Sequence, residues 1–394
     1  MKKFKDETTR ELVSDILPFW MDAMADPEGG FFGRMDGKGR IHPDAEKGAI
    51  LNARILWTFS AAWRILKKPE YLETAGKACR YMVEHFIDRE FGGVYWSLNA
   101  DGSPKDTKKQ FYAIAFTIYA LAEYFRAAGD KTALEEAQAL FRCIEDHSLD
   151  RLRGGYIEAC SRDWRPIEDM RLSDKDQNDA KTMNTHLHIL EAYTALCRVW
   201  KGGPVADALK GVTDIFLERI IRPDGHLQLF FDEGWNATST VVSYGHGIEA
   251  SWLLCEAADV LGDGTYASRV KAAAAPVAEA AMEGFTPGSG MSYEFDPATG
   301  TCNHSREWWV QAETVLGCLN MFQLTGDSSW KEKAESQWGF IRDHLICPDG
   351  EWYWGVLPSA EGFVPNLEDD RAGFWKCPYH NGRMCMEIIE RFPD

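Results

Sequence analysis

The sequence predicts an all-α fold: an (α/α)6 barrel of six inner and six outer helices, with short β-hairpin loops at one end. Two observations carry this. A glycine–aromatic segment recurs six times, and two kinds of helix alternate in the gaps between the copies. The copies are Gly29-Gly30-Phe31-Phe32, Gly92-Gly93-Val94-Tyr95-Trp96, Gly154-Gly155-Tyr156-Ile157-Glu158, Gly225-His226-Leu227-Gln228-Leu229-Phe230, Gly290-Met291-Ser292-Tyr293-Glu294-Phe295 and Gly350-Glu351-Trp352-Tyr353-Trp354. They are spaced by roughly 60 to 70 residues, and internal periodicity of this kind is architecture before it is anything else.

Each copy opens on turn residues and continues with alternating aromatic or apolar residues, as a short strand does. The helix at 71–86 is amphipathic. Leu72, Ala75, Cys79, Met82 and Phe86 form one stripe, with Glu73, Lys77, Arg80 and Glu84 away from it. That is a surface helix with one buried face. The segment 111–125 is apolar nearly all round, as a helix buried on both sides is. The amphipathic kind precedes each glycine–aromatic copy and the apolar kind follows it. Outer helices are thus expected at 4–24, 69–88, 131–149, 204–221, 263–284 and 328–345. Inner helices are expected at 44–66, 106–127, 177–200, 243–261, 305–325 and 376–391. Adjacent helices joined by short connections pack antiparallel, which closes the chain into two rings. No linker or low-complexity stretch divides it, so 1–394 is expected to form a single catalytic domain.

Bulk properties narrow the function. A formal net charge of −18 without a basic stripe argues against nucleic acid as a partner. The longest apolar run, 111–122, is too short to cross a bilayer, so no membrane partner is expected. The start, Met1-Lys2-Lys3-Phe4-Lys5, leads into no apolar signal region. Ten scattered cysteines form no C-x-x-C pair, and a reducing cytoplasm is the expected setting. There are 15 tryptophans, many beside glycine. Indole plates match the apolar faces of sugar rings, and core filling is the plain alternative.

The first turns of the inner helices hold the unusual polar residues. They include Arg54, Tyr112, Asn184, His188, His246, Glu249, Trp308, Trp309 and His380. In Ser243-Tyr244-Gly245-His246-Gly247-Ile248-Glu249, Ser243 suits an N-cap and Glu249 lies on the face of His246, where a carboxylate orients an imidazole. A helix N-terminus favours the neutral, proton-accepting ring. Asn184, His188 and Glu191 share a helical face that His186 does not, so His186 is expected to pack between the rings. A metal chelate on His186 and His188 is not expected, because i and i+2 diverge on a helix. Arg54 needs either a ligand or an ion-pair partner such as Asp176 or Glu249. No phosphate-binding loop or dinucleotide fingerprint is present. Neutral imidazoles around one cavity suit removal of a carbon-bound proton next to a sugar aldehyde, with Arg54 holding the charge on O1.

Four motifs in order resemble the cellobiose 2-epimerases of the N-acylglucosamine 2-epimerase superfamily. They are Met183-Asn184-Thr185-His186-Leu187-His188, Gly245-His246-Gly247-Ile248-Glu249, Trp308-Trp309-Val310-Gln311-Ala312-Glu313 and Trp375-Lys376-Cys377-Pro378-Tyr379-His380-Asn381-Gly382-Arg383. The resemblance implies C2 epimerisation of the reducing-end sugar of a β-1,4-linked disaccharide, with no cofactor and no metal. It implies His246 and His380 as the acid/base pair and His188 as a third imidazole. It also implies Arg54, Tyr112, Asp176, Asn184, Glu249, Trp308, Trp309 and Trp375 as substrate contacts. A monomer or weak homodimer is expected. The alternatives are an N-acylglucosamine 2-epimerase or aldose–ketose isomerase acting on monosaccharides, a two-carboxylate glycoside hydrolase on the same barrel, and a non-catalytic sugar-binding protein.

Overall fold

A computed structural model describes residues 1–173 and 176–393. Among these residues the inner helices are Ala49–Leu66, Phe111–Ala128, Met183–Val199, Tyr244–Leu261, Trp308–Thr325 and Tyr379–Arg391. Each packs against the next and the sixth packs against the first, so the inner ring closes. The outer helices are 2–22, Pro69–Tyr81, Lys131–His147, Val205–Ile215, Gly264–Ala281 and Ser328–Phe340. The last five each pack on the inner helix before them, and 2–22 packs on the sixth inner helix. The fold is the expected (α/α)6 barrel.

The connections at the two ends differ. From inner to outer they are short, and three of them turn on a Gly-Asp pair. Gly129, Gly262 and Gly326 take positive φ and end one helix, while Asp130, Asp263 and Asp327 accept N–H groups at the start of the next. Glycine adopts that conformation without a Cβ clash, and aspartate satisfies orphan N–H groups. From outer to inner the connections are long and carry the glycine–aromatic copies.

The inner helices begin later than their apolar character implied, most by several residues. The residues before them pair antiparallel with the next repeat instead. Lys47–Gly48 pairs with Ser97–Leu98, Lys109–Gln110 with Ala159–Cys160, and Lys181–Thr182 with Phe230–Phe231. Val242–Ser243 pairs with part of Glu294–Asp296, and Arg306–Glu307 with the start of Gly355–Ser359. Burial made these residues read as helix, but their N–H groups are satisfied across repeats.

A buried cation also pins several of these starts. Lys47 meets Asp26 at 2.5 Å, Lys109 meets Asp88 at 2.8 Å, Lys181 meets Asp150 at 2.8 Å and Lys376 meets Glu351 at 2.7 Å. Each acid lies in the turn just after an outer helix, so the pairs tie the two rings together at the mouth.

At Gly155, φ is +79° and a Cβ would stand 2.3 Å from Trp235 Cζ2; at Gly154, φ is +76° and nothing lies within 4 Å. Gly154→Ala is therefore expected to cost about 1 kcal/mol for backbone strain alone, and Gly155→Ala about 2 kcal/mol more for overpacking. Urea unfolding of the two variants checks the order, and equal midpoints would contradict it.

Candidate active site

All six inner helices contribute early residues to one cavity of about 350 Å³. Arg54 comes from the first helix, Tyr112 from the second, Asn184 and His188 from the third, His246 and Glu249 from the fourth, Trp308 and Trp309 from the fifth, and His380 from the sixth. Loop residues Asp176 and Trp375 complete the set expected from sequence. The structure thus brings together eleven side chains spread from position 54 to position 380. His186 is elsewhere, as its helical phase implied. Its Nδ1 lies 2.6 Å from the Thr182 carbonyl, and its Nε2 accepts the Tyr156 N–H at 3.0 Å.

Each imidazole has a defined partner at Nδ1. For His380 it is Glu313 Oε1 at 2.7 Å, and for His188 it is Glu191 Oε2 at 2.9 Å. For His246 it is the Ser243 hydroxyl at 2.7 Å. This corrects the expectation that Glu249 orients His246. Glu249 turns instead to the sixth helix, where Arg383 Nη2 donates to its Oε1 at 2.8 Å. Shared face allowed the first contact, but a buried guanidinium outcompetes a neutral ring for a carboxylate.

Arg383 is the hub that the sequence did not reveal. It also donates to Glu313 at 2.7 Å and, through Nη1, to Glu191 and the Tyr379 hydroxyl. Its guanidinium lies over the rings of Trp252 and Tyr379. Three carboxylates from three helices thus meet one cation below the imidazoles. A charged residue one turn after His380 in a buried helix was the available signal. Although burial pushes Glu191 up, Arg383 and the His188 hydrogen bond bring it down to about 2. Burial and the neighbouring Glu313 instead push Glu249 well up, towards the neutral acid. Glu249, Glu313 and His380 each offer a ligand atom within 4.8 Å of the others, a geometry that suits a cation. Arg383 already bonds both carboxylates, so its guanidinium occupies that role.

Arg54 also departs from expectation. Among the described residues it forms no ion pair with Asp176 or Glu249. Its Nη2 donates to the Tyr112 hydroxyl at 3.0 Å, its Nη1 donates to the Trp375 carbonyl at 3.3 Å, and its guanidinium sits 4.2 Å from the Phe116 ring centre. The charge therefore stays available to a ligand. Asp176 accepts from the Ser173 N–H and hydroxyl.

Aromatic rings form the walls. Trp309 lies 4.7 Å from His246 and 5.8 Å from His380, between the two imidazoles. Trp308 packs on Trp354 at 4.8 Å, and Trp375 packs on Tyr112 and Trp96, each at 6.0 Å. Leu172, Ser173, Tyr293, Glu307 and Trp354 also line the cavity and were not anticipated. They lie in loops or at a helix boundary, where periodicity gives no facing information. Arg54 Nε, Asn184 Oδ1, Trp308 Nε1 and Trp354 Nε1 are buried without a hydrogen-bond partner among the described residues. Such atoms are uncommon, and four on one cavity suit a ligand rich in hydroxyls.

Burial pulls His246 and His380 from 6.5 down to about 3, aided at His246 by the neighbouring imidazoles of His188 and His380 and at His380 by the guanidinium groups of Arg54 and Arg383. Both rings are neutral at ordinary pH. Their ordinary value lies above the folded one, so the unfolded chain takes up protons first as pH falls. Stability from these rings is complete above pH 6.5 and is lost as pH drops towards 3. A urea midpoint that falls between pH 7 and 5, and falls less steeply in His246→Asn, is the expected result.

Fold and site together define an (α/α)6-barrel protein with three imidazoles gathered in an indole-walled cavity at its mouth. Comparison with known proteins narrows this. The chain belongs to the N-acylglucosamine 2-epimerase (GlcNAc 2-epimerase) family, whose model matches residues 30–374. It is 53% identical to a cellobiose 2-epimerase of Bacteroides fragilis over 388 residues, which is 98% of each chain. It is 40% identical to one of Ruminococcus albus, covering 98% of this chain and 99% of that one. The solved structure of the cellobiose 2-epimerase from Bacillus thermoamylovorans B4167 superposes with a TM-score of 0.93 at 37% identity, over 100% of both chains. Among the described residues no helix is long and apolar enough to cross a membrane, and all ten cysteines are free thiols.

Proposed function

We propose that the protein is an isomerase that inverts C2 of the reducing-end sugar of β-1,4-linked disaccharides, such as cellobiose. The whole chain, 1–394, acts as one catalytic unit. The observation that carries this reading is the set of three imidazoles, from three different inner helices, around one indole-walled cavity.

His188, backed by Glu191, assists opening of the sugar ring to the aldehyde. The aldehyde acidifies the C2 hydrogen. One of His246 and His380, as the neutral base, removes it to give a cis-enediolate; that proton then passes within the imidazole set to the other ring, which returns a proton to the opposite face and is left neutral again. Arg54 stabilises the charge on O1, a term that acts strongly in a site shielded from water. Trp309 stacks on the reacting sugar, and Trp375 holds the second ring. Tyr112, Asp176, Asn184, Glu249 and Trp308 complete the sugar contacts. Each step is proton transfer between groups already in the cavity.

The 53% identity to a cellobiose 2-epimerase over nearly the full length favours a disaccharide over a monosaccharide. Cellobiose incubated with the protein in D2O is expected to lose its C2–H signal as glucosyl-mannose appears. Absence of exchange on every β-1,4-linked disaccharide tried would remove the reading.

A further inference from the structure

The three imidazoles differ in what stands behind them. His380 and His188 have carboxylates at Nδ1, at 2.7 and 2.9 Å. His246 has a hydroxyl, Ser243 Oγ, at 2.7 Å. Ser243 is 7% exposed and is held from two sides. Its backbone pairs with Glu294 in a short antiparallel ladder, and its residue caps the fourth inner helix. As the cap, its oxygen accepts the backbone N–H of His246 at 3.5 Å. A serine oxygen has two lone pairs and one hydrogen. Accepting from the backbone uses one lone pair and leaves a second lone pair and the O–H, either of which can meet the ring.

We propose that Ser243 is a positioning residue for the acid–base chemistry: its hydroxyl oxygen accepts the Nδ1–H of His246 and so leaves Nε2 as the basic nitrogen facing the sugar. The proposal rests on the epimerase reading given above. One side chain then serves two ends. It starts the helix and fixes the ring's tautomer and direction, which a second hydrogen-bond partner is known to do for functional histidines. The opposite tautomer would carry the hydrogen at Nε2 and present no lone pair to C2. His246 is otherwise faced by Glu249 from its own helix, His188 from the third, Glu313 from the fifth and His380 from the sixth. Among the described residues none of these hydrogen-bonds to its ring; Ser243 is the hydrogen-bond partner that selects the ring nitrogen, while Trp309 packs on the ring at 4.7 Å.

Three variants separate capping from positioning. Glycine is nearly as good an N-cap as serine, so Ser243→Gly removes the hydroxyl with little effect on the helix. It is expected to lower kcat about tenfold or more, but by less than the upper end of the 10²–10⁴ that a whole acid–base group contributes, and to change KM by less than about twofold. Ser243→Thr keeps the hydroxyl and is expected to recover most of that loss. Ser243→Asp places a carboxylate at Nδ1 and is expected to move the pH profile of kcat/KM up by about one unit. The move is the same in both reaction directions, because the equilibrium between neutral sugars does not depend on pH.

A readout independent of activity is the ring's tautomer. Long-range 1H–15N spectra of histidine-labelled protein, with the His246 signal assigned by a His246→Asn variant, are expected to show hydrogen at Nδ1. They are expected to show mixed tautomers in Ser243→Gly. Hydrogen at Nε2 in the unaltered protein, or full kcat in Ser243→Gly, would overturn the proposal. A protein that exchanges C2–H yet shows either result loses only the role of Ser243. One that exchanges nothing loses the epimerase reading, and the spectra still decide the tautomer.

Discussion

His380→Asn is expected to lower kcat for C2 epimerisation by about 10² to 10⁴, the range for loss of a positioned acid–base group. Asparagine retains a side-chain donor toward Glu313 but has no nitrogen basic enough to take up a proton. The Glu313–Arg383 contact at 2.7 Å remains, so the core beneath the site keeps its counter-ion. Affinity for cellobiose, measured by calorimetry, is expected to stay within about threefold, because acid–base roles act on the transition state more than on the bound sugar. Full loss of binding along with turnover would point to a structural role for the ring. Retained turnover would remove His380 from the chemistry.

Arg383→Leu is expected to be the most damaging single change to stability. It leaves Glu191, Glu249 and Glu313, each at most 1% exposed, without their shared cation. Breaking a buried pair from one side costs about 3–5 kcal/mol, and here one residue serves three partners. The three acids are not equivalent. Glu249 is pushed towards its neutral form, whereas Glu191 and Glu313 are held down chiefly by Arg383 against the effect of burial. Glu249→Gln is therefore expected to cost less stability than Glu313→Gln or Glu191→Gln. In Arg383→Leu, adding Glu313→Gln is expected to restore part of the loss, because it removes one uncompensated charge. Urea midpoints of the single and double variants measure this. Additive losses would show that the four groups do not act as a cluster.

Much of the architecture was legible in the chain. The glycine–aromatic copies located the mouth loops, and the contrast between amphipathic and all-round apolar helices sorted the outer ring from the inner one. Helical phase separated His188 from His186. Each of these rests on information carried within a few turns of chain. The starts of the inner helices were misplaced because a buried strand and a buried helix share composition; only pairing partners in the next repeat distinguish them.

Partner choice was a different matter. The spacing His-x-x-Glu occurs at 188/191 and at 246/249, yet only the first pair is joined. Spacing of three residues places two side chains on one face, but which contact forms depends on what else reaches that face. Arg383 reaches Glu191 across 192 residues of chain, and it does so only because the sixth inner helix closes against the first and fifth. The sequence by itself determined the barrel and the repeat, since these follow from periodicity, and, through periodicity together with the family resemblance, eleven of the residues assembled at its mouth. The tertiary structure alone decided which imidazole has a carboxylate behind it and which a hydroxyl, because hydrogen bonds between distant helices are set by ring closure and competition for buried charge.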